Sequence, residues 1–255
     1  GKYLTKVFYL AAAIFCLHVQ AGEKVDRSLE VKPDGHIEIH NVRGEITITG
    51  WDKPEVKVKG TLDDLTEKFI FEERSGHTVI KVELPDNTSL RSGEGSNLEI
   101  WLPQSASVDF NGVATDLKVT RVKGKLEVNT VSGDLRLEDL GKDLYVNSVS
   151  GDVELKGAHG RIEMQTVSGD IVARVSAEQI NVNGVSADVT ITNDVLSQGK
   201  LSTVSGDIKI TSGLKNDANL EINTVSGDGI WYVVGDVSAR ISMETAPGGT
   251  VINEL

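Results

Sequence analysis

Leu126-Glu127-Val128-Asn129-Thr130-Val131-Ser132-Gly133-Asp134 runs directly into Leu135-Arg136-Leu137-Glu138-Asp139-Leu140-Gly141-Lys142-Asp143. Each nonapeptide reads apolar, any, apolar, any, any, apolar, then a polar or glycine-containing turn. The alternating pair is a strand signal, because side chains two apart share a face. The third apolar residue of each half is expected to close the corner. The same pattern fits residues 108–116, 117–125, 144–152, 162–170 and 180–188. Helical periodicity is absent and the β-branched content is high.

Working outward, Val-Ser-Gly-Asp recurs at 131–134, 149–152, 167–170, 204–207 and 225–228. Near-copies are Val113-Ala114-Thr115-Asp116 and Val185-Ser186-Ala187-Asp188, and a degenerate copy is Ala246-Pro247-Gly248-Gly249. Successive copies begin 18, 18, 18, 18, 19, 21 and 21 residues apart. A fixed short period means one unit stacked many times. A nine-residue half is too short for a helical crossover between parallel strands. The chain must therefore coil: strand, turn, strand on the opposite wall, turn, then up one level of ~4.8 Å. The expected fold is all-β, a parallel β-solenoid (β-helix) with about 18 residues and two strands per coil. A three-sided helix with six-residue sides shares the 18-residue coil but not the nine-residue pseudo-period.

Stacking turns each repeat position into a column. Asn129, Asn147, Asn183 and Asn223 align, with Gln165 substituting once, and amide columns can hydrogen-bond along a stack. Ser132, Ser150, Ser168, Ser186, Ser205 and Ser226 form a second column. Gly133, Gly151, Gly169, Gly206 and Gly227 form a third, which marks a left-handed or crowded turn position. Thr115 and Ala187 interrupt it, so positive φ is not expected at every coil. The Asp column is Asp116, Asp134, Asp152, Asp170, Asp188, Asp207 and Asp228. Like charges one rung apart in water repel by only ~1 kcal/mol, which is tolerable if each carboxylate accepts backbone N–H bonds. The sharper reading is a calcium ladder at Asp134, Asp152, Asp170, Asp188, Asp207 and Asp228. Only the Gly-Asp pair of the calcium-binding nonapeptide is present, however, and calcium wants six to eight oxygens. The expected metal, cofactor and catalytic residues are none.

Three segments are expected. Residues 1–21 read as a secretory signal: Lys2 and Lys6 precede an apolar run over 7–17 that is too short to span a bilayer, and Val19-Gln20-Ala21 offers a cleavage site. The mature chain would begin at Gly22 and carry no membrane span. Residues 22–107 read as an irregular N-terminal β region that caps the solenoid and is continuous with it. Strands over 68–73 and 78–84 flank an Arg74-Ser75-Gly76-His77 hairpin, and a strand over 97–102 ends at Pro103. Residues 108–255 are the repeat solenoid with a C-terminal cap, in which Trp231 is a cap or core residue and residues 241–246 mimic 162–167. Cys16, the only cysteine, lies in the signal, so neither a disulfide scaffold nor a thiol enzyme is expected.

The formal net charge is −12, and loss of Lys2 and Lys6 takes it from −12 to −14. With no basic stripe, nucleic-acid and anionic-lipid binding are excluded as functions. Some parallel β-helices cleave acidic polysaccharides with carboxylates and a cation. Here Arg136, Arg161 and Arg174 are scattered, the coils lack loops to wall a cleft, and the charge repels such a substrate. His36 and His40 lie four apart on one strand face, a metal hint that scattered surface histidines explain equally.

The Val-Ser-Gly-Asp coils, the Gly44…Gly50-Trp51-Asp52 opening and the strand over 97–103 resemble a large bacterial family of unknown function that carries the name "putative adhesin". The resemblance covers roughly residues 30–250. It implies a parallel, right-handed β-solenoid, an envelope or surface location and no established catalytic residues. The function expected is therefore a non-catalytic secreted module, a surface adhesin or a periplasmic structural or envelope-stress factor. Its partner would be a protein or glycan at the cell envelope, with self-association through the solenoid ends as a further expectation.

Overall fold

The computed structural model describes residues 22–87 and 93–236. The signal-like segment, the 241–246 mimic and the degenerate 246–249 copy lie outside the described residues. Every regular element described is a strand: β1 (Lys24–Glu30), β2 (His36–Trp51), β3 (Glu55–Thr61), β4 (Lys68–Arg74), β5 (His77–Glu83), β6 (Ser96–Pro103), β7 (Ser107–Thr120) and β8 (Leu126–Ser132). There follow β9 (Leu135–Glu138), β10 (Asp143–Ser148), β11 (Val153–Ser168), β12 (Ile171–Ser186), β13 (Val189–Ser205), β14 (Ile208–Ser226) and β15 (Gly229–Val233). Among the described residues, no helix is long and apolar enough to cross a membrane.

The pairing is that of a parallel solenoid with two walls. On the first wall β5, β2, β7, β8, β10, β11, β12, β13 and β14 pair in parallel in that order. On the second wall the order is β6, β2, β7, β9, β11, β12, β13, β14 and β15. Long strands serve both walls. β2 and β7 turn the Val-Ser-Gly-Asp corner, whereas β11 to β14 turn the opposite one. The register is the repeat itself: Leu126 faces Leu144, Leu144 faces Ile162, and Ile162 faces Ile180. The longer spacings near the C-terminus are absorbed at the opposite corner, where Leu196 pairs Leu214 but Gln198 pairs Asn219.

Inward positions alternate as the nonapeptide requires. Leu126 and Val128 are buried on the first wall, and Leu135 and Leu137 on the second. One cluster of buried side chains runs from Val25 to Ile210, and Trp231 packs half-buried against it. The Trp231 Nε1–H donates to Ser212 O at 3.1 Å.

The N-terminal end stops the parallel stack with antiparallel strands. β4 folds onto β5 through Ser75 (φ 54°) and Gly76 (φ 86°). β3 pairs antiparallel with β6, and β1 with β3. Reversing direction covers both edges of the stack, so they do not template further parallel pairing. β2 is itself the first full coil, since residues 36–49 pair with β7 along both walls.

An ion pair locks this end. Arg43, at the first corner, and Asp63 are 5% and 1% exposed, with Nε to Oδ2 at 2.6 Å and Nη2 to Oδ1 at 2.8 Å. Nη2 also reaches Asp64 Oδ1 at 3.0 Å. Burial pushes the Asp63 carboxyl up, but hydrogen bonds from Arg43 and the Leu65 N–H outweigh it and hold it below its ordinary range. The same pair holds the Arg43 guanidinium above its ordinary value.

Removing one partner of a buried pair costs about 3–5 kcal/mol, so Asp63→Asn should destabilise the chain by about that much in urea titrations. A carboxyl with a depressed folded pKa contributes fully above its unfolded value, about pH 4, and the contribution disappears as pH falls through the folded value. Wild type should therefore lose stability on acidification below about pH 4, and the loss should be smaller in a double variant that replaces Arg43 and Asp63 with apolar residues.

Candidate binding face at the Val-Ser-Gly-Asp corner

The corner is built from three columns, of which the Asp and Ser columns bond to the rung below. Asp134 N–H donates to Asp116 Oδ1 at 2.8 Å, Asp152 to Asp134 at 3.0 Å, and Asp170 to Asp152 at 2.8 Å. The series continues with Asp188 to Asp170 at 3.2 Å, Asp207 to Asp188 at 2.8 Å and Asp228 to Asp207 at 2.8 Å. Each carboxylate thus caps the next coil rather than its own turn. A hydrogen bond to a charged acceptor is worth about 1.5–3 kcal/mol, enough to offset the rung-to-rung repulsion of ~1 kcal/mol. Among the described residues no three His, Cys, Asp or Glu side chains are arranged to hold one metal ion. The serine column bonds likewise, with Ser132, Ser150 and Ser168 Oγ donating to Val113, Val131 and Val149 O at 3.1, 3.2 and 3.3 Å.

The glycines are required by close approach. Gly133, Gly151, Gly169, Gly206 and Gly227 have φ of 115°, 112°, 110°, 139° and 136°. A Cβ on Gly151 would lie 2.2 Å from Gly133 O, and one on Gly169 2.2 Å from Gly151 O. Thr115 and Ala187 do not share the positive φ; instead they turn buried side chains into the corner.

A compensation accompanies this exchange. The Val-Ser-Gly-Asp coils carry a buried or half-buried hydroxyl three residues before the glycine: Thr130, Ser148, Thr166, Thr203 and Thr224. Thr130, Ser148, Thr166 and Thr203 bond back to Ser132, Ser150, Ser168 and Ser205 O at 3.1, 3.2, 3.0 and 3.3 Å. The two coils without it carry Gly112 and Gly184 there. A Cβ on Gly184 would sit 3.2 Å from the Ala187 Cβ, and one on Gly112 2.9 Å from Phe110. One side chain fills each corner, from one position or the other.

With the corner filled this way, the valine that opens the tetrapeptide has no place inside. Val131, Val149 and Val167 are 49%, 47% and 48% exposed, and Val113, Val185, Val204 and Val225 are also exposed. This corrects the expectation that every third apolar residue closes a corner. It holds at the opposite corner of the coils that place Val122, Leu140 and Ala158 there, all buried, and fails here.

The amide column stands two residues before the valines and also points outward. The register places it as Asn111, Asn129, Asn147, Gln165, Asn183, Ser202 and Asn223. Ser202 therefore separates Asn183 from Asn223, and Asn111 adds a rung. Amide bonds climb only the first rungs, with Asn147 Nδ2 to Asn129 Oδ1 at 2.9 Å and Asn129 Nδ2 to Asn111 Oδ1 at 3.4 Å. Asn183 and Asn223 donate sideways to Asn181 and Glu221.

Between the two columns runs a groove of about 470 Å³, parallel to the solenoid axis. Its walls are Asn111, Asn129, Asn147, Gln165 and Asn183 on one side and Val131, Val149, Val167 and Val185 on the other. Gly112, Thr130, Ser148, Thr166 and Gly184 floor it. No side chain of this lining is titratable.

The histidines gather elsewhere. His77 pairs beside His36, and their rings stack at 5.1 Å. His36 lies 3.2 Å from Asp109, and His77 3.2 Å from Glu38, which also contacts His40. The hydrogen bond with His40, together with that from His77, holds the Glu38 carboxyl below its ordinary range against burial. His77 was not foreseen, because only the β4–β5 hairpin brings it to this face.

Gly151→Ala is expected to cost at least about 2 kcal/mol. Adding Ser148→Gly, which recreates the Ala187 type of corner, should recover more than half of it in a double-mutant cycle by urea denaturation. Asp152→Ala should cost about 1 kcal/mol and Asp152→Asn less, because the amide oxygen still accepts the Asp170 N–H.

A family model described as Toastrack DUF4097 matches residues 19–250. A search of curated proteins finds no match. Among solved structures, a putative adhesin from Bacteroides fragilis is 17% identical, with a TM-score of 0.49, 84% of this chain and 98% of that chain covered. A putative adhesin from Parabacteroides distasonis is 17% identical, with a TM-score of 0.47 over 85% of this chain and 100% of that one. A putative cell adhesion protein from Clostridium sporogenes is 13% identical, with a TM-score of 0.27 over 83% and 100%. The match over nearly the whole chain, on a stack of parallel coils, shows that this chain belongs to the Toastrack DUF4097 family.

Proposed function

We propose that the chain is an exported, non-catalytic interaction module of the cell envelope that engages a partner through the valine–asparagine face. The observation that supports this is the groove itself: straight, apolar along one edge, amide along the other, and lined without a titratable side chain. General acid–base and nucleophilic chemistry need a group that gains, gives or is stripped of a proton. The hydroxyls on the floor are engaged by backbone carbonyls, and no base stands beside them. A long ridged face is instead suited to an extended protein or glycan partner. Exposed apolar columns of this length mark interaction sites.

The test is sedimentation with envelope fractions. Val149→Asp with Val167→Asp should weaken binding at least tenfold while stability stays within about 0.5 kcal/mol of wild type, as for surface substitutions. Unchanged binding would refute the assignment of the face. Protease treatment of intact cells then separates two settings. Cleavage indicates surface adhesion, and protection until permeabilisation indicates a periplasmic structural or envelope-stress role.

A further inference from the structure

We infer that the occupant of the valine–asparagine face is a second copy of this chain, packed side by side with its solenoid axis parallel to the first. The inference rests on the reading of this face as an interaction surface and names the partner.

Period is the first argument. The exposed valines recur once per coil from Val113 to Val225, at the ~4.8 Å strand spacing. An extended peptide turns only every second side chain toward the groove, about 6.6 Å apart, and so is out of step with such a column by the next rung. A second copy has the same rise and stays in step along the whole groove. Interdigitation of identical side-chain columns is how stacked β structures make dry interfaces.

Charge is the second. The chain carries −12, so most ways of bringing two copies together set like charges against each other. The groove lining carries none. A two-fold axis parallel to the solenoid axes seats the valine column of each copy in the groove of the other. It also leaves the two Asp columns on opposite flanks, each beside the partner's amide column, so that neither Asp column faces the other. This arrangement is isologous and closes as a dimer.

Area is the third. Valines at about half exposure present on the order of 500 Å² of apolar surface, at the upper end for a monomer. Two such faces reach about 1,000 Å² before the amides and groove floor are added, which enters the range of specific interfaces.

The experiment combines light scattering with cysteine cross-linking on protein purified from the cells that express it. The expected mass is that of a dimer at micromolar concentration. Val149→Asp with Val167→Asp should give a monomer that still unfolds cooperatively, its melting temperature lowered by no more than the loss of dimer linkage requires. Should the aspartates impair folding, Val149→Thr with Val167→Thr keeps the shape and should weaken dimerisation at least tenfold. Single variants Val131→Cys and Val185→Cys should each form a disulfide with the same residue of the other copy, because parallel packing keeps equal rungs level. A monomeric mass at 1 mM, about a thousandfold above the micromolar range, would overturn the inference, as would dimers that survive both double variants. A monomer whose face variants still lose envelope binding would overturn the second copy alone and leave the interaction face standing.

Discussion

The rest of the molecule depends on a spacing. Parallel coils hydrogen-bond at ~4.8 Å, so every residue at a given position must tolerate a near-copy of itself directly above and below. At the Val-Ser-Gly-Asp corner that demand is met three ways. The Asp carboxylate takes the N–H of the coil above, the Ser hydroxyl takes the carbonyl of the coil below, and glycine admits a carbonyl oxygen where a Cβ would stand about 2 Å away. The carboxylate satisfies an N–H that the turn would otherwise leave without a partner, and the hydroxyl adds a second bond to a carbonyl that already accepts the N–H of the same serine. The column of negative charge is therefore a consequence of how the corner is capped.

From the same constraint comes the face. The corner has room for one inward side chain, and a threonine, a serine or the Thr115 and Ala187 substitutes take it. The valine beside it is turned outward on every coil from Val113 to Val225. Because the coils repeat, a local exclusion becomes a straight apolar column, and the amides two residues earlier become its opposite bank. The proposed interaction face is thus made by the repeat itself, with no loop or insertion walling it among the described residues.

Much of this was legible in the residues. The nonapeptide period and its β-branched alternation dictate stacked parallel strands, and the Gly-Asp pairs mark the turns. The 75–76 hairpin and the strand ending at Pro103 also follow from local chemistry. The outward valines were not legible, because an apolar residue at a regular position reads as core until the backbone of the turn is known. The exchange of Gly112 and Gly184 for Thr115 and Ala187 was present in the sequence as two coupled departures, but only the filled corner explains the coupling. Arg43 and Asp63 join across an irregular cap, and His36 and His77 across a hairpin that folds back onto β2. Neither pairing has a period to betray it.

The tetrapeptide valines stand in one straight column at the rise of the coils. The most direct measurement is the distance between spin labels on cysteines replacing Val113 and Val204, in labelled protein diluted with unlabelled copies. The column predicts a single distribution centred at five rungs, roughly 24 Å. A distance far from that, or two well-separated populations, would contradict it.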